Sequence, residues 1–414
     1  MNISYIVLRI ICMPLSLLPF RAIHFIGTVM GTIGYYILKN QRKKTLSNIA
    51  LATTLQVKDI YVVAKHSFQN LAITLLEFPK FAFTRKFYKR VICTNPHKAS
   101  EIIKSGTGVI FFCAHQANWE LLFLEGTQRM PGVAVGRPIK NEKLYSWIVK
   151  IREKFGGKII PPKKTIKEGI RALRAGKFFG IVGDQALPES NYSYNFFGRR
   201  AWTTTAPAIL SYRTGCPIIV ATIERKKTKY IIKYSDPLYP DKKQSMDDEI
   251  NRLTVASLKM LESSIQENPG QWLWQHNRWK QDTPATVYYR YNWDTILVII
   301  PKAFKATDLS VFREIYPNAF ITVLTPESIK VDPNLFDIMK YKKPSDVLIN
   351  DLRFKLVFNL TNIQSVHRHF LNLSALKVLS IEDLKKGVAK QHLQPNDTFG
   401  MLLKKALARP NTIW

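Results

Sequence analysis

His115 and Glu120 stand five positions apart in the stretch GVIFFCAHQANWELLFLEG, residues 108–126, where an apolar, strand-like run leads into a helical pattern. That order puts His115 at the carboxyl end of a strand, Asn118 at a helix N-cap position and Glu120 in the first helical turn, where a carboxylate suits the helix dipole. An imidazole bonded to a carboxylate through one ring nitrogen has a fixed tautomer, and its other nitrogen can take a proton from an attacking hydroxyl. The chemistry expected is general-base activation of an external nucleophile. Cys113, two residues before His115, raises a second reading as a thiol nucleophile. Residues two apart on a strand share a face without meeting productively, and a cysteine in an apolar run is ordinarily a small core residue, so Cys113 is read as core.

The elements that would carry this pair alternate. Strand-like runs stand at 108–114, 132–135, 178–182, 218–224 and 230–234, and helical patterns at 120–128, 143–155, 165–175, 204–213 and 247–266. Such alternation predicts an α/β fold with a central sheet and flanking helices, with the site beyond the strand carboxyl ends.

Further blocks follow in order: Gly136-Arg137-Pro138, Arg152-x-x-x-Phe155-Gly156-Gly157, Gly183-Asp184-Gln185, Phe196-Phe197-Gly198, Thr203 to Pro207, Thr214-Gly215-Cys216-Pro217, Pro269 to Trp274 and Arg278-Trp279-Lys280. Before them, RKKTLSNIAL at 42–51 is a basic segment after an apolar one. The H-x4-E pair and the ordered blocks resemble the lysophospholipid acyltransferase superfamily, and within it the late, lauroyl/myristoyl-type acyltransferases of lipid A biosynthesis, over about residues 1 to 282. The resemblance implies a catalytic His115 and Glu120, with Arg137 stabilising the oxyanion or holding an acceptor phosphate, and Asp184 and Gln185 lining the same cleft. It also implies direct transfer of an acyl chain from acyl carrier protein to a lipid A precursor hydroxyl, with neither metal nor cofactor, at the cytoplasmic face of a bacterial inner membrane. Ala186 and Leu187 depart from the pattern, because relatives often carry a further acid there. The chain also continues well past the Arg278-Trp279-Lys280 block, where such enzymes typically end.

Composition sets the class of partner. Sixty-one Lys and Arg against 30 Asp and Glu leave +31 over 414 residues, which calls for acidic partners: anionic lipid, an acidic carrier protein or nucleic acid. The amino-terminal apolarity favours the first two, so no nucleic acid is expected. Four cysteines without CxxC or His-rich spacing exclude a disulfide scaffold and a structural zinc site. Trp272, Trp274 and Trp279 alternate with polar and basic residues and read as packing. Residues 3–38 are apolar, but Arg9, Pro14, Pro19, Arg21 and His24 interrupt them, and the longest clean run, 22–38, is at the short limit for a span. The expectation is a helical anchor lying in the interface, held by the basic 41–44 segment; a buried pair of core helices is the alternative.

Three regions follow: 1–45 membrane-associating, 46–285 acyltransferase, and 286–414 a small doubly wound, Rossmann-like extension of net +7, with 18 Lys and Arg against 11 Asp and Glu. Its opening faintly resembles the amino-terminal half of heptosyltransferase-like enzymes, and no catalysis is assigned to it. Two other readings stay open: a different glycolipid or glycerophospholipid acceptor for the same chemistry, or a non-enzymatic basic membrane scaffold.

Overall fold

A computed structural model of the chain describes residues 9, 12–84, 89–190 and 192–409. Of the apolar segment expected at 3–38, residues 3–8, 10 and 11 lie outside the described residues, as do residues 410–414 of the extension. Internal contacts divide the chain into two units, one taking in the chain up to Ile37 with Val62–His276, the other Leu38–Tyr61 with Asn277 onward. The division therefore does not fall at 45 and 285, and the second unit is discontinuous in sequence.

In the first unit, after a short helical stretch at 12–17, comes α1 (Phe20–Ile37). The chain continues through α2 (Lys39–Ala52) into the long α3 (Val57–Phe83), which belongs to the first unit from Val62 onward. Helices α1 and α3 run antiparallel: His24 meets Glu77, Gly27 faces Ile73, Gly31 faces Gln69 and the Tyr35 ring stands edge-on to Phe68. The glycines allow this approach, since a Cβ on Gly31 would lie 2.4 Å from the Gln69 Cα. The opposite face of α1 is apolar and exposed through Phe25, Val29, Met30, Ile33 and Ile37, with Leu17 just before it. No helix among the described residues is long and apolar enough to cross a membrane.

A seven-stranded mixed sheet follows, in the order β1-β9-β8-β2-β5-β3-β4. Its strands are β1 (Val91–Cys93), β2 (Val109–Cys113), β3 (Gly132–Val135), β4 (Lys158–Ile160), β5 (Phe178–Val182), β8 (Ile218–Lys226) and β9 (Lys229–Tyr234). β2 is buried at every position and pairs in parallel with β5 on one side and β8 on the other, the pattern of a central strand. Its helices are α4 (His97–Lys104), α5 (Glu120–Arg129), α6 (Glu142–Arg152), α7 (Thr165–Arg174), α8 (Ala206–Thr214) and α9 (Met246–Glu267). Local chemistry sets their ends: the Asn141 side chain accepts from Leu144 N to start α6, Ser245 caps α9 ahead of three acidic residues, and Gly215, with φ of 79°, stops α8. A small hairpin, β6 (Ser193–Phe196) and β7 (Arg199–Trp202), turns through Phe197 and Gly198, both at positive φ.

The second unit is a parallel five-stranded sheet, order β12-β11-β10-β13-β14, built from β10 (Thr295–Ile299), β11 (Phe320–Pro326), β12 (Asp337–Tyr341), β13 (Leu356–Asn359) and β14 (Lys377–Ser380). Helices α10 (Ser310–Ile315), α11 (Ser365–Asn372), α12 (Ile381–Gly387) and α13 (Phe399–Leu407) accompany it. α2 belongs here. Leu46 and Ile49 are buried, Ser47 donates to the Arg353 carbonyl at 2.5 Å, and Lys43, with its ammonium pKa lowered by burial, donates to the Ala375 carbonyl at 2.8 Å. The 41–44 segment expected to face lipid thus has Lys43 committed to the sheet and Lys44 over the Trp293 ring. A buried Lys355–Asp294 pair, 3.4 Å apart and shared with Asn277, underlies β10 and β13.

Candidate functional site

Strand order builds the site. β2 and β5 are parallel neighbours with Cys113 opposite Val182, so the residues two past each strand end, His115 and Asp184, emerge side by side. Gly183, which links the end of β5 to Asp184, must be small, since a Cβ there would lie 2.2 Å from the Phe112 ring. Asp184 Oδ1 is 2.7 Å from His115 Nδ1, and Oδ2 accepts both the His115 backbone N–H at 2.8 Å and the Trp272 indole N–H at 2.7 Å. Burial alone would raise the Asp184 pKa, but the His115 ring and three N–H donors outweigh it and hold the carboxyl down at about 2. An ionised Asp184 assigns the proton to Nδ1 and turns the Nε2 lone pair outward. Nε2 lies 3.4 Å from the Gln185 amide nitrogen, and the ring stands edge-on to Trp119. The arrangement can take a proton at Nε2 while Asp184 stabilises the resulting imidazolium.

Glu120, the first residue of α5, was expected to hold the imidazole. In the structure it makes a two-pronged pair with Arg152 at the end of α6: Nε donates to Oε2 at 2.8 Å and Nη2 to Oε1 at 2.6 Å. A guanidinium fork matches both oxygens of a carboxylate at once, an arrangement one imidazole nitrogen cannot equal. Of the five residues singled out in sequence, the folded chain brings His115, Asp184 and Gln185 into one bonded group. Glu120 lies near it, close enough for its charge to act on Cys113, and Arg137 is exposed beyond the end of β3. Cys113 is buried, and its thiol pKa is pushed up by burial and by the Asp184 and Glu120 charges, the opposite of what a thiolate nucleophile needs.

Asn118 does not cap α5; that helix has no side-chain cap. Its amide instead donates at 2.7 Å to the fully buried carboxylate of Glu77, a charge-assisted bond stronger than a neutral cap. Glu77 belongs to a buried polar stripe on α3 (Ser67, Asn70, Thr74 and Glu77) that grips the loop from behind. Ser67 donates to the Trp272 carbonyl, and Asn70 and Thr74 both donate to the Ala117 carbonyl. Sequence reading missed this stripe, although its signal is present: small polar and acidic residues at helical spacing within the apolar SFQNLAITLLEF. Trp272, read as packing, also holds Asp184, and Arg152 was noticed only as part of a block.

A family model described as bacterial lipid A biosynthesis acyltransferase matches residues 2–281. The chain is similar to the lipid A biosynthesis lauroyltransferase of Escherichia coli (strain K12), 23% identical over 66% of this chain and 90% of that protein. It is equally similar to the lipid A biosynthesis palmitoleoyltransferase of the same organism and to a lipid A biosynthesis acyltransferase of Shigella flexneri, each 23% identical over 64% of this chain and 86% of the relative.

Proposed function

Because the chain belongs to the bacterial lipid A biosynthesis acyltransferase family, we propose that it moves a fatty acyl chain from acyl carrier protein to a hydroxyl of a lipid A precursor, at the cytoplasmic face of the inner membrane. The observation that carries the chemical scheme is the His115–Asp184 bond, which leaves Nε2 as the basic nitrogen. Nε2 takes the acceptor hydroxyl proton as that oxygen attacks the thioester carbonyl. The tetrahedral intermediate expels the carrier thiolate, which takes the proton back from the imidazolium, so the base is regenerated with each turnover. Asp184 orients the ring and balances its transient charge. Glu120 holds Arg152 beside the site, and Arg152 and the exposed Arg137 supply positive charge for the developing oxyanion or for an acceptor phosphate.

Two further observations support the substrates. A small apolar pocket of about 50 Å³, lined among others by Phe111, Cys113, Phe123, Phe178 and Tyr234, lies under the site and gives it an apolar floor of the kind a hydrocarbon tail contacts. The exposed apolar face of α1 suits an interfacial seat on a lipid surface, where a +31 chain meets anionic headgroups and an acidic carrier. The test is a product mass spectrum from reactions of defined acceptors with carrier-bound acyl chains. The expected product is an acylated lipid A precursor. A product formed only with a glycerophospholipid, or only from a donor other than the carrier thioester, would replace that substrate assignment.

A further inference from the structure

We infer that Glu77 is a positioning residue for the acyl transfer, acting through Asn118 on the turn that presents His115; this rests on the reading of His115 as the base. Glu77 is wholly buried on α3, and its carboxylate is bonded from three directions: His24 Nε2 of α1 at 2.5 Å, the Asn118 amide at 2.7 Å and the Tyr230 hydroxyl of β9 at 2.6 Å. A leucine would fill such a place without desolvating a charge, and a buried carboxylate is a poor way to gain stability alone. What it adds is one fixed geometry, since each donor is held at one place on two oxygens.

The turn it fixes needs holding. Ala117, between His115 and Asn118, has φ of 47°, a left-handed conformation that a residue with a Cβ seldom adopts. Its carbonyl is held by Asn70 and Thr74 and its N–H by the Gln271 carbonyl at 2.7 Å, so Asn118 is the next point at which the loop is tied to α3. Asn118 stands three residues after His115 and two before Glu120. Release of its amide frees the segment between the base and the Glu120–Arg152 pair, and a small misplacement of a reacting group lowers rate more than binding.

The test uses the full chain in anionic vesicles with carrier-bound acyl thioester and a defined lipid A precursor, each variant checked for folding by thermal melting. Folded Glu77→Ala is expected to lose about 10²-fold in kcat with little change in KM. Glu77→Gln recovers most of that loss, because its carbonyl still accepts from Asn118 and Tyr230 and its amide donates to His24. Asn118→Ala loses a similar factor, and the double variant is no worse than the poorer single one, since the two residues act as a unit. Tyr230→Phe removes a bond to the same carboxylate but leaves the Asn118 bond in place, and loses much less kcat than Glu77→Ala or Asn118→Ala. Wild-type kcat in folded Glu77→Ala or Asn118→Ala, additive losses in the double variant, or a Tyr230→Phe loss equal to that of Glu77→Ala would each overturn the inference. Should Glu77→Ala fail to fold, Asn118→Ala and Tyr230→Phe decide it. Full activity in His115→Ala is a separate result that removes the underlying assignment of the base.

Discussion

At the scale of single residues, the site turns on which carboxylate serves the imidazole. His115→Ala should lower kcat by roughly 10² to 10⁴, the contribution of a positioned general base. Asp184→Asn keeps the volume but removes the charge that sets the Nδ1–H tautomer, and should cost nearly as much, whereas Glu120→Gln should cost less because its carboxylate is bonded to Arg152. Steady-state rates of the three variants decide the point, and a Glu120→Gln loss equal to that of Asp184→Asn would return the orienting role to Glu120. Cys113→Ala should retain substantial activity, and an acyl group found on Cys113 that chases into product would overturn direct transfer.

The same Asp184 makes stability depend on pH. Its pKa is depressed in the folded chain, from 3.8 to about 2. The unfolded state therefore binds the proton more readily, and the stabilisation is fully present above about pH 4 and lost as pH falls toward 2. About 2 kcal/mol is at stake. Denaturant midpoints measured from pH 5 to pH 2 should fall less steeply in Asp184→Asn than in the wild type; parallel slopes would show that this carboxylate does not carry the acid limb.

At the scale of elements, α1 has two faces with different duties. Its glycine face meets α3 at backbone distance, so Gly31→Val forces the helices apart and should lower the melting temperature, as overpacking of about 1–3 kcal/mol does. Its outer face touches no core. Phe25→Ser, Met30→Ser and Ile33→Ser together should leave the melting temperature nearly unchanged while shifting the protein from the membrane to the soluble fraction. High salt should weaken membrane association in the wild type without abolishing it, because apolar burial is not screened. Retention of the triple variant on membranes would move the anchor elsewhere.

At the scale of the whole molecule, the carboxy-terminal region is not an appendage that can be cut away cleanly. Residues 38–61 belong to its unit, with Leu46 and Ile49 of α2 buried. A chain ended after Asp282 would leave that helix without the sheet whose carbonyls it bonds, so such a truncation should bind hydrophobic dye and aggregate rather than fold as a smaller enzyme. A soluble, cooperatively melting truncation would show that α2 finds its burial elsewhere. Within the unit, Lys355→Ala should be strongly destabilising, by about 3–5 kcal/mol, because it strands the buried Asp294 carboxylate.

Much was legible in the linear chain because it is local. Short apolar runs located β2, β3, β5, β8 and β9 to within a residue or two, and the placement of His115 past a strand end followed from the first of them. The ordered blocks from Gly136 to Lys280 pointed to the family with no structure at all. Pairings across distance were not legible. Glu120 is five residues from His115 and Asp184 is 69, yet β5 lies beside β2 in the sheet, and strand order is not written in the periodicity of either strand. The α3 stripe was visible as a pattern, but its targets on the 115–118 loop and Trp272 exist only once helix and sheet have docked. The split of the chain at Ile37 and Val62 was hidden for a similar reason: a basic segment after an apolar one reads as lipid-facing until a distant sheet supplies the carbonyls that bury its helix. The chain's own order determined the strands, the helices and the chemistry on offer, while tertiary structure alone decided which carboxylate meets the histidine, because a hydrogen bond is set by proximity in space and not by spacing along the backbone.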